Sequence, residues 1–405
     1  MNRASVLGTA ALCLSAFGWT DLAHAAPCSG LTNPLVVSGS TAVQAVIAKV
    51  APPLAAATGA DQISVIYQGT GSCSGVAQLG LDVTPGAAGA CAMGACLTGT
   101  ASYWDATGAM KSCDLETTGT HIDLILSDVY KASCDGVTNP NLRDTNLLVI
   151  PFGLITAKGS TQEAIDAREG YYVFGRGMAA GITPWVNELL EFNRGSGSGT
   201  QITIFKNLHV PVGAAFGVKA TGTGDMITKV SGATSAEQAI GFASLDAVDT
   251  KRDLVKTLAY RHWGQNKFYW PDSTNSTFDK RNVRDGHYPL WSYEHAITLV
   301  DGTGAPVSPL AKKFSDILSG TVALPGGDAV LLESKSGVIP LCAMEVARTA
   351  DAGDFTVATS NACGCFFEKN AGAAGGTPDA SCKSCVSDTD CSSGQHCRNT
   401  FCEAR

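Results

Sequence analysis

Short β-branched runs that stop at Gly, Ser or Asp recur in the first third of the chain. They are Leu35-Val36-Val37 before Ser38-Gly39-Ser40-Thr41, residues 63–67 before Gln68-Gly69, and residues 122–126 before Ser127-Asp128. Runs this short and this apolar predict buried strands whose C-terminal ends turn into loops. After the first, Ala42, Val43, Val46, Ile47 and Val50 recur at helical spacing, and Pro52-Pro53 is expected to stop that helix. Strand, small-residue turn and helix form the α/β unit whose helix N-terminus binds anions. Residues 147–156, with Pro151 inside, are apolar enough to cross from one lobe to a second, and Tyr288-Pro289-Leu290-Trp291 followed by residues 296–300 suits the return. Residues 202–205 read as strand-like. The stretch of about 83–121 is rich in Gly, Ala and Thr, holds three cysteines, and reads as a surface insertion pinned by disulfides. The expected division is a discontinuous first lobe (26–151 and 289–348), a second lobe (152–288) and a Cys-rich tail (349–405).

Composition narrows the class. With 405 residues, 45% of them hydrophobic, the chain can build two cores. The balance of 28 Lys+Arg against 36 Asp+Glu gives net −8, and no basic run interleaves with aromatics, so nucleic acid is excluded as a partner. Arg3, the apolar residues 6–17 and then Ala23-His24-Ala25 spell a secretory signal, residues 1–25, with cleavage near Ala25. The apolar run falls short of the roughly 20 residues that span a bilayer, so no stable membrane insertion is expected. Neither Cys13 nor Cys28 follows the small residue that lipoprotein processing requires.

Cleavage would remove one of the 15 cysteines and leave an even 14, which predicts disulfides in an oxidising compartment. Cys28, Cys73, Cys91, Cys96, Cys113 and Cys134 form one group, and the other eight begin at Cys342. The spacing Cys382-x2-Cys385-x5-Cys391-x5-Cys397-x4-Cys402 reads as a small stapled module. A zinc knuckle is the weaker reading, because the second Cys-x2-Cys half is missing. No metal and no cofactor is expected.

An oxyanion site needs convergent N–H and O–H donors and a cationic fork. Four segments offer such groups: Ser38-Gly39-Ser40-Thr41, then Tyr67-Gln68-Gly69-Thr70-Gly71-Ser72-Cys73-Ser74-Gly75-Val76, then Ser127-Asp128, and Arg194-Gly195-Ser196-Gly197-Ser198-Gly199-Thr200. Singly, each is equally a helix cap, a turn or a flexible linker.

In this order and spelling, the four segments resemble the phosphate-binding proteins of periplasmic phosphate ABC transporters. The resemblance spans roughly residues 31–345 and is most specific in the Tyr67 loop. It implies an α/β, two-lobed type II periplasmic binding protein fold with the ligand cleft between the lobes, plus the disulfide-rich C-terminal module as an addition. It implies that Thr41, the N–H of Ala42, and Ser72 bind phosphate oxygens from the first lobe, with Asp128 completing that side. Arg194 would supply the charged fork, and Ser198, Gly199 and Thr200 would donate from the second lobe. The expected function is capture of hydrogen phosphate by an exported monomer, periplasmic or extracellular, with an ABC transporter permease as its partner. A carboxylate facing a dianion repels it unless the ligand brings a proton to share, so Asp128 should favour hydrogen phosphate over sulfate. Ser196 departs from the family, standing where its turn has an aspartate that orients the arginine.

No catalytic residue is expected. The alternatives are a secreted phosphatase-like hydrolase using one of the Ser-rich turns, and a surface attachment protein that reuses the fold. His262, His287 and His295 read as packed or surface residues.

Overall fold

The computed structural model describes residues 25–81, 94–214, 216–359 and 361–404. The expected signal segment, apart from Ala25, and Cys91 lie outside them.

The first half runs β1 (Pro34–Gly39), α1 (Gln44–Ala56), β2 (Ser64–Gln68), α2 (Ser72–Leu81), β3 (Thr100–Trp104), β4 (Met110–Asp114), β5 (Leu124–Ser127) and β6 (Leu142–Ala157). There follow β7 (Ala164–Asp166), α3 (Ala167–Arg176), β8 (Phe192–Asn193), α4 (Gly199–Leu208), β9 (Val218–Lys219), α5 (Thr223–Ser231), β10 (Gly241–Ser244), α6 (Leu245–Asp249), β11 (Val255–Thr257) and β12 (Ala259–Arg261). After α7 (Arg281–Arg284), the long strand β13 (Trp291–Leu299) leads to α8 (Pro309–Leu318), α9 (Ala329–Ser336), β14 (Ile339–Pro340) and α10 (Gly364–Asn370).

One mixed sheet carries both halves, in the order β10-β6-β13-β5-β1-β2-β3-β4, with β11 and β14 also on β6. β1 lies parallel to both β2 and β5. β6 is the crossing: residues 142–151 pair with β13, whereas residues 152–157 pair with β10 and β11. The return crossing is β13, which pairs antiparallel with both β6 and β5. Leu147, Leu148, Val149, Ile150, Phe152 and Leu154 are all buried, as a strand covered on both faces requires.

Three expectations change. Pro52 and Pro53 lie inside α1 and do not stop it, because Val50, Ala51 and Leu54 on either side of them are fully buried. That burial outweighs the roughly 3 kcal/mol penalty of an interior proline. The stretch taken as a surface insertion carries the β3–β4 hairpin, which extends the main sheet from β2. Trp104 is 4% exposed and its ring lies 6.4 Å from that of Tyr67, so part of this segment is core. Residues 202–205 are helix, within α4. Nearly every residue of α4 is buried, so no polar face reveals the helical period, and its β-branched residues imitate a strand.

Among the described residues, six disulfides pair within the two cysteine groups. They are Cys28–Cys113 and Cys73–Cys134 in the first, and Cys342–Cys363, Cys365–Cys382, Cys385–Cys397 and Cys391–Cys402 in the second. Cys96 is disulfide-bonded as well. The start of the tail is welded to the body: Cys363, Phe367 and Ala371 join the main core, and Arg284 pairs with Glu368 at 2.6 Å.

Candidate functional site

The ends of β1, β2 and β5 stop side by side, so the turns that follow them share one rim. Gly39 allows this. Its φ is +114°, and a side chain there would run into the backbone of Leu126. Ser40 N–H donates to Leu126 O at 2.7 Å, and Gly71 N–H donates to Gly39 O at 2.7 Å, which seats the Tyr67 loop on the first turn. The Tyr67 hydroxyl donates to Ser40 O and the Ser40 hydroxyl donates to Asp128 Oδ1, both in short contacts. Ala42 N–H rests on Ser40 Oγ at 3.0 Å, and Asp128 N–H on Ser72 Oγ at 3.1 Å.

The second lobe presents the 194–200 turn. Ser198 caps α4, its Oγ accepting from Gln201 N–H at 3.4 Å, so its own O–H proton remains free to donate. Gln201 Oε1 accepts from Arg194 N–H at 2.8 Å and fixes the start of the turn. Three contacts of this turn reach the first lobe. Thr200 Oγ1 donates to Asp128 Oδ2 at 3.1 Å, Arg194 Nη2 donates to Thr41 Oγ1 at 3.3 Å, and Cys73 N–H donates to Gly197 O at 3.0 Å. The cleft is therefore closed. Two ten-residue helices, α2 and α4, begin on opposite sides of it, and each adds about half a positive charge at its N-terminus.

All eight expected residues stand at this junction: Thr41, Ala42, Ser72, Asp128, Arg194, Ser198, Gly199 and Thr200. Arg194 is 5% exposed and its Nη1 has no hydrogen-bond partner among the described residues. Burial pushes its guanidinium down from the ordinary value, opposed by Asp128, Asp225 and Tyr67. Burial pushes the Asp128 carboxyl up, against the hydrogen bonds of Ser40, Glu294 and Thr200 and the charge of Arg194.

Other residues complete the site. Ser40 and Tyr67 lie in turns already singled out, but their roles as braces on Asp128 and on the first turn depend on contacts from distant strands. Ser196 is exposed, and the acid whose field reaches Arg194 from this lobe is instead Asp225 in the first turn of α5. Asp225 is held by Thr221 N–H at 2.8 Å. Glu294, the single acid of the wholly buried strand β13, interacts with the Asp128 carboxyl. The acid itself was visible in the sequence, but its partner was not.

The histidines stand elsewhere. His262 hydrogen-bonds the Tyr260 hydroxyl at 3.0 Å and is pushed down to about 4 by burial. His287 pairs with Asp285 at 2.9 Å, and buried His295 with Asp144 at 2.7 Å. Ser198 serves as a helix cap, following the Arg194 turn.

No family model and no curated protein matches the chain. Among solved structures it is similar to a substrate-binding protein assigned to phosphate ABC transport, with bound phosphate, from Clostridium perfringens, at 18% identity over 76% of this chain and 99% of that one, TM-score 0.49. An ABC-type phosphate transport receptor from Vibrio cholerae is similar at 16% identity over 76% and 99% of the two chains, TM-score 0.43. An ancestral soluble variant of the human phosphate-binding protein is similar at 15% over 76% and 90%, TM-score 0.46. At this level of likeness the functional reading rests on the residues of the site. No helix among the described residues is long and apolar enough to cross a membrane.

Proposed function

We propose that the chain is a solute-binding protein that holds one hydrogen phosphate ion between its lobes. The observation that carries this reading is the pairing of two buried groups. Arg194 offers an unpartnered charged N–H beside Thr41, and Asp128 offers a carboxylate gripped by Ser40 and Thr200. A guanidinium with a spare donor calls for an anion. A carboxylate in the same enclosure calls for a ligand that carries a proton. Hydrogen phosphate meets both demands, and sulfate only the first.

Thr41, Ala42, Ser72, Ser198, Gly199 and Thr200 would surround the ion with hydroxyls and N–H groups, and lobe closure would strip its water and strengthen each bond. The disulfides support an oxidising compartment, hence export, and delivery to an ABC transporter permease is the role such capture serves.

Calorimetry tests the reading. Phosphate should bind at one per chain, with sulfate weaker by about ten- to hundredfold, the cost of an acceptor facing an acceptor. Asp128→Asn should narrow that gap, since an amide can donate to sulfate. Equal sulfate affinity before and after the change would sink the proposal.

A further inference from the structure

Glu294 lies in the middle of β13, where the sheet is covered on both faces, and it is 0% exposed. No N–H or hydroxyl among the described residues reaches either of its carboxyl oxygens. Its polar neighbour at hydrogen-bonding range is the Asp128 carboxyl. Two ionised carboxylates have no hydrogen to share and repel. One proton turns the same contact into an O–H···O bond.

The surroundings decide which of the two carries that proton. Asp128 receives the hydroxyls of Ser40 and Thr200 and faces the charge of Arg194, all of which favour its ionised form. Glu294 feels further acid: Asp246 in α6, itself buried and pushed up to about 7, acts on it, and Asp249 acts on Asp246 in turn. Tyr67 faces Glu294 from β2 as a neutral phenol. The strand neighbours Tyr293 and His295 point to the opposite face, where His295 pairs with Asp144. Burial and these acids push Glu294 well above the ordinary carboxylate range.

We propose that Glu294 is a positioning residue that remains a neutral acid and donates its O–H to Asp128. An ionised carboxylate has about four acceptor positions. Ser40, Thr200 and Glu294 would occupy three, leaving one for the ligand, which is the count that a single P–OH fills. The pair then carries one negative charge rather than two, so the anion faces the weaker repulsion. Ionising Glu294 adds a second negative charge in contact with Asp128 and expels the ligand. Choice of the protonated oxyanion thus belongs to a buried acid pair rather than to Asp128 alone. This deepens the phosphate reading and rests on it.

Two measurements on the full mature chain test it. Infrared difference spectra of the ligand-free protein, wild type minus Glu294→Gln, should show a protonated carboxyl band at pH 7 that bleaches as the pH is raised. Should Glu294→Gln fail to fold, pH titration of that band in the wild type decides the same point. Inorganic phosphate affinity, measured from pH 6 to 9.5, should fall in the wild type by at least about tenfold more than in Glu294→Gln over the range in which the band disappears. Glu294→Leu, which removes the donor, should bind about tenfold more weakly than wild type at pH 7, where Glu294 is neutral, and Glu294→Gln, which restores a donor, should recover most of that loss. Absence of the band at pH 7, or parallel pH profiles for wild type and Glu294→Gln, overturns the proposal. A chain that shows the band but binds no phosphate overturns the phosphate reading and leaves the acid pair confirmed.

Discussion

Gly199 is the residue on which closure of the cleft turns. A methyl group there would stand 2.7 Å from Asp128 Cβ and 2.9 Å from Ser72 Cβ, both in the opposite lobe. Neither neighbour is free to swing aside. A Cβ moves only with its backbone, and Ser72 Oγ is already bound to Asp128 N–H. Ordinary carbon contact needs about 3.5–4.0 Å, so Gly199→Ala must part the lobes by about 1 Å. That shift stretches the Thr200–Asp128 bond from 3.1 Å, and the Arg194–Thr41 bond from 3.3 Å, past useful length. Losing one hydrogen bond to a charged group costs about 1.5–3 kcal/mol. Phosphate affinity should therefore drop by about ten- to hundredfold. Folding should not suffer, since Ala at the first position of α4 is the better helix former by up to about 1 kcal/mol. Gly224→Ala is the control. It also lies in the first turn of a helix, α5, but an added methyl meets nothing within 4 Å. Calorimetry and small-angle scattering with and without phosphate separate the two variants: only Gly199→Ala should lose affinity and stay more open. A Gly199→Ala chain that binds within threefold of wild type would refute the closure argument.

Two further outcomes are expected. The Cys73–Cys134 bond ties the start of α2, next to Ser72, to the segment after Asp128. Replacing both cysteines with Ala should remove about 4 kcal/mol of stability by the chain-entropy model and weaken phosphate binding as well, as melts with and without phosphate would show. Glu191 is pushed up to about 8, chiefly by burial and secondarily by Glu188. Below about pH 4.3 it is protonated both folded and unfolded; between there and 8 the folded chain holds the extra proton, so stability falls as pH rises, by roughly 1.4 kcal/mol per pH unit at most. Glu191→Gln should thus stabilise the chain at pH 8 and not at pH 4, read as a shift in denaturant midpoint, and equal shifts at the two pH values would contradict it.

What the sequence made readable was local: strands that end in Gly, Ser or Asp, and turns whose spelling brings hydroxyls and N–H groups to a strand tip. Singly each such turn is equally a cap or a linker, and it is the resemblance carried by their order and spelling that singled out Thr41, Ser72, Asp128 and Arg194 before any contact was known. Three other features hid for different physical reasons. α4 is buried almost all round, so it lacks the polar face by which a helix announces its period. The β3–β4 hairpin sits in a stretch whose Gly, Ala and Thr content suggests a loop, and only Trp104 packing near Tyr67 reveals a sheet edge. Glu294 reads as one acid in a strand of mixed polarity, and nothing nearby in the chain says that its carboxyl meets Asp128. A lone buried acid is a liability, but paired with a second it becomes a device for holding one proton. The identity of a ligand group can therefore be local while its protonation, and hence what the site selects, is decided by strands that meet only after folding.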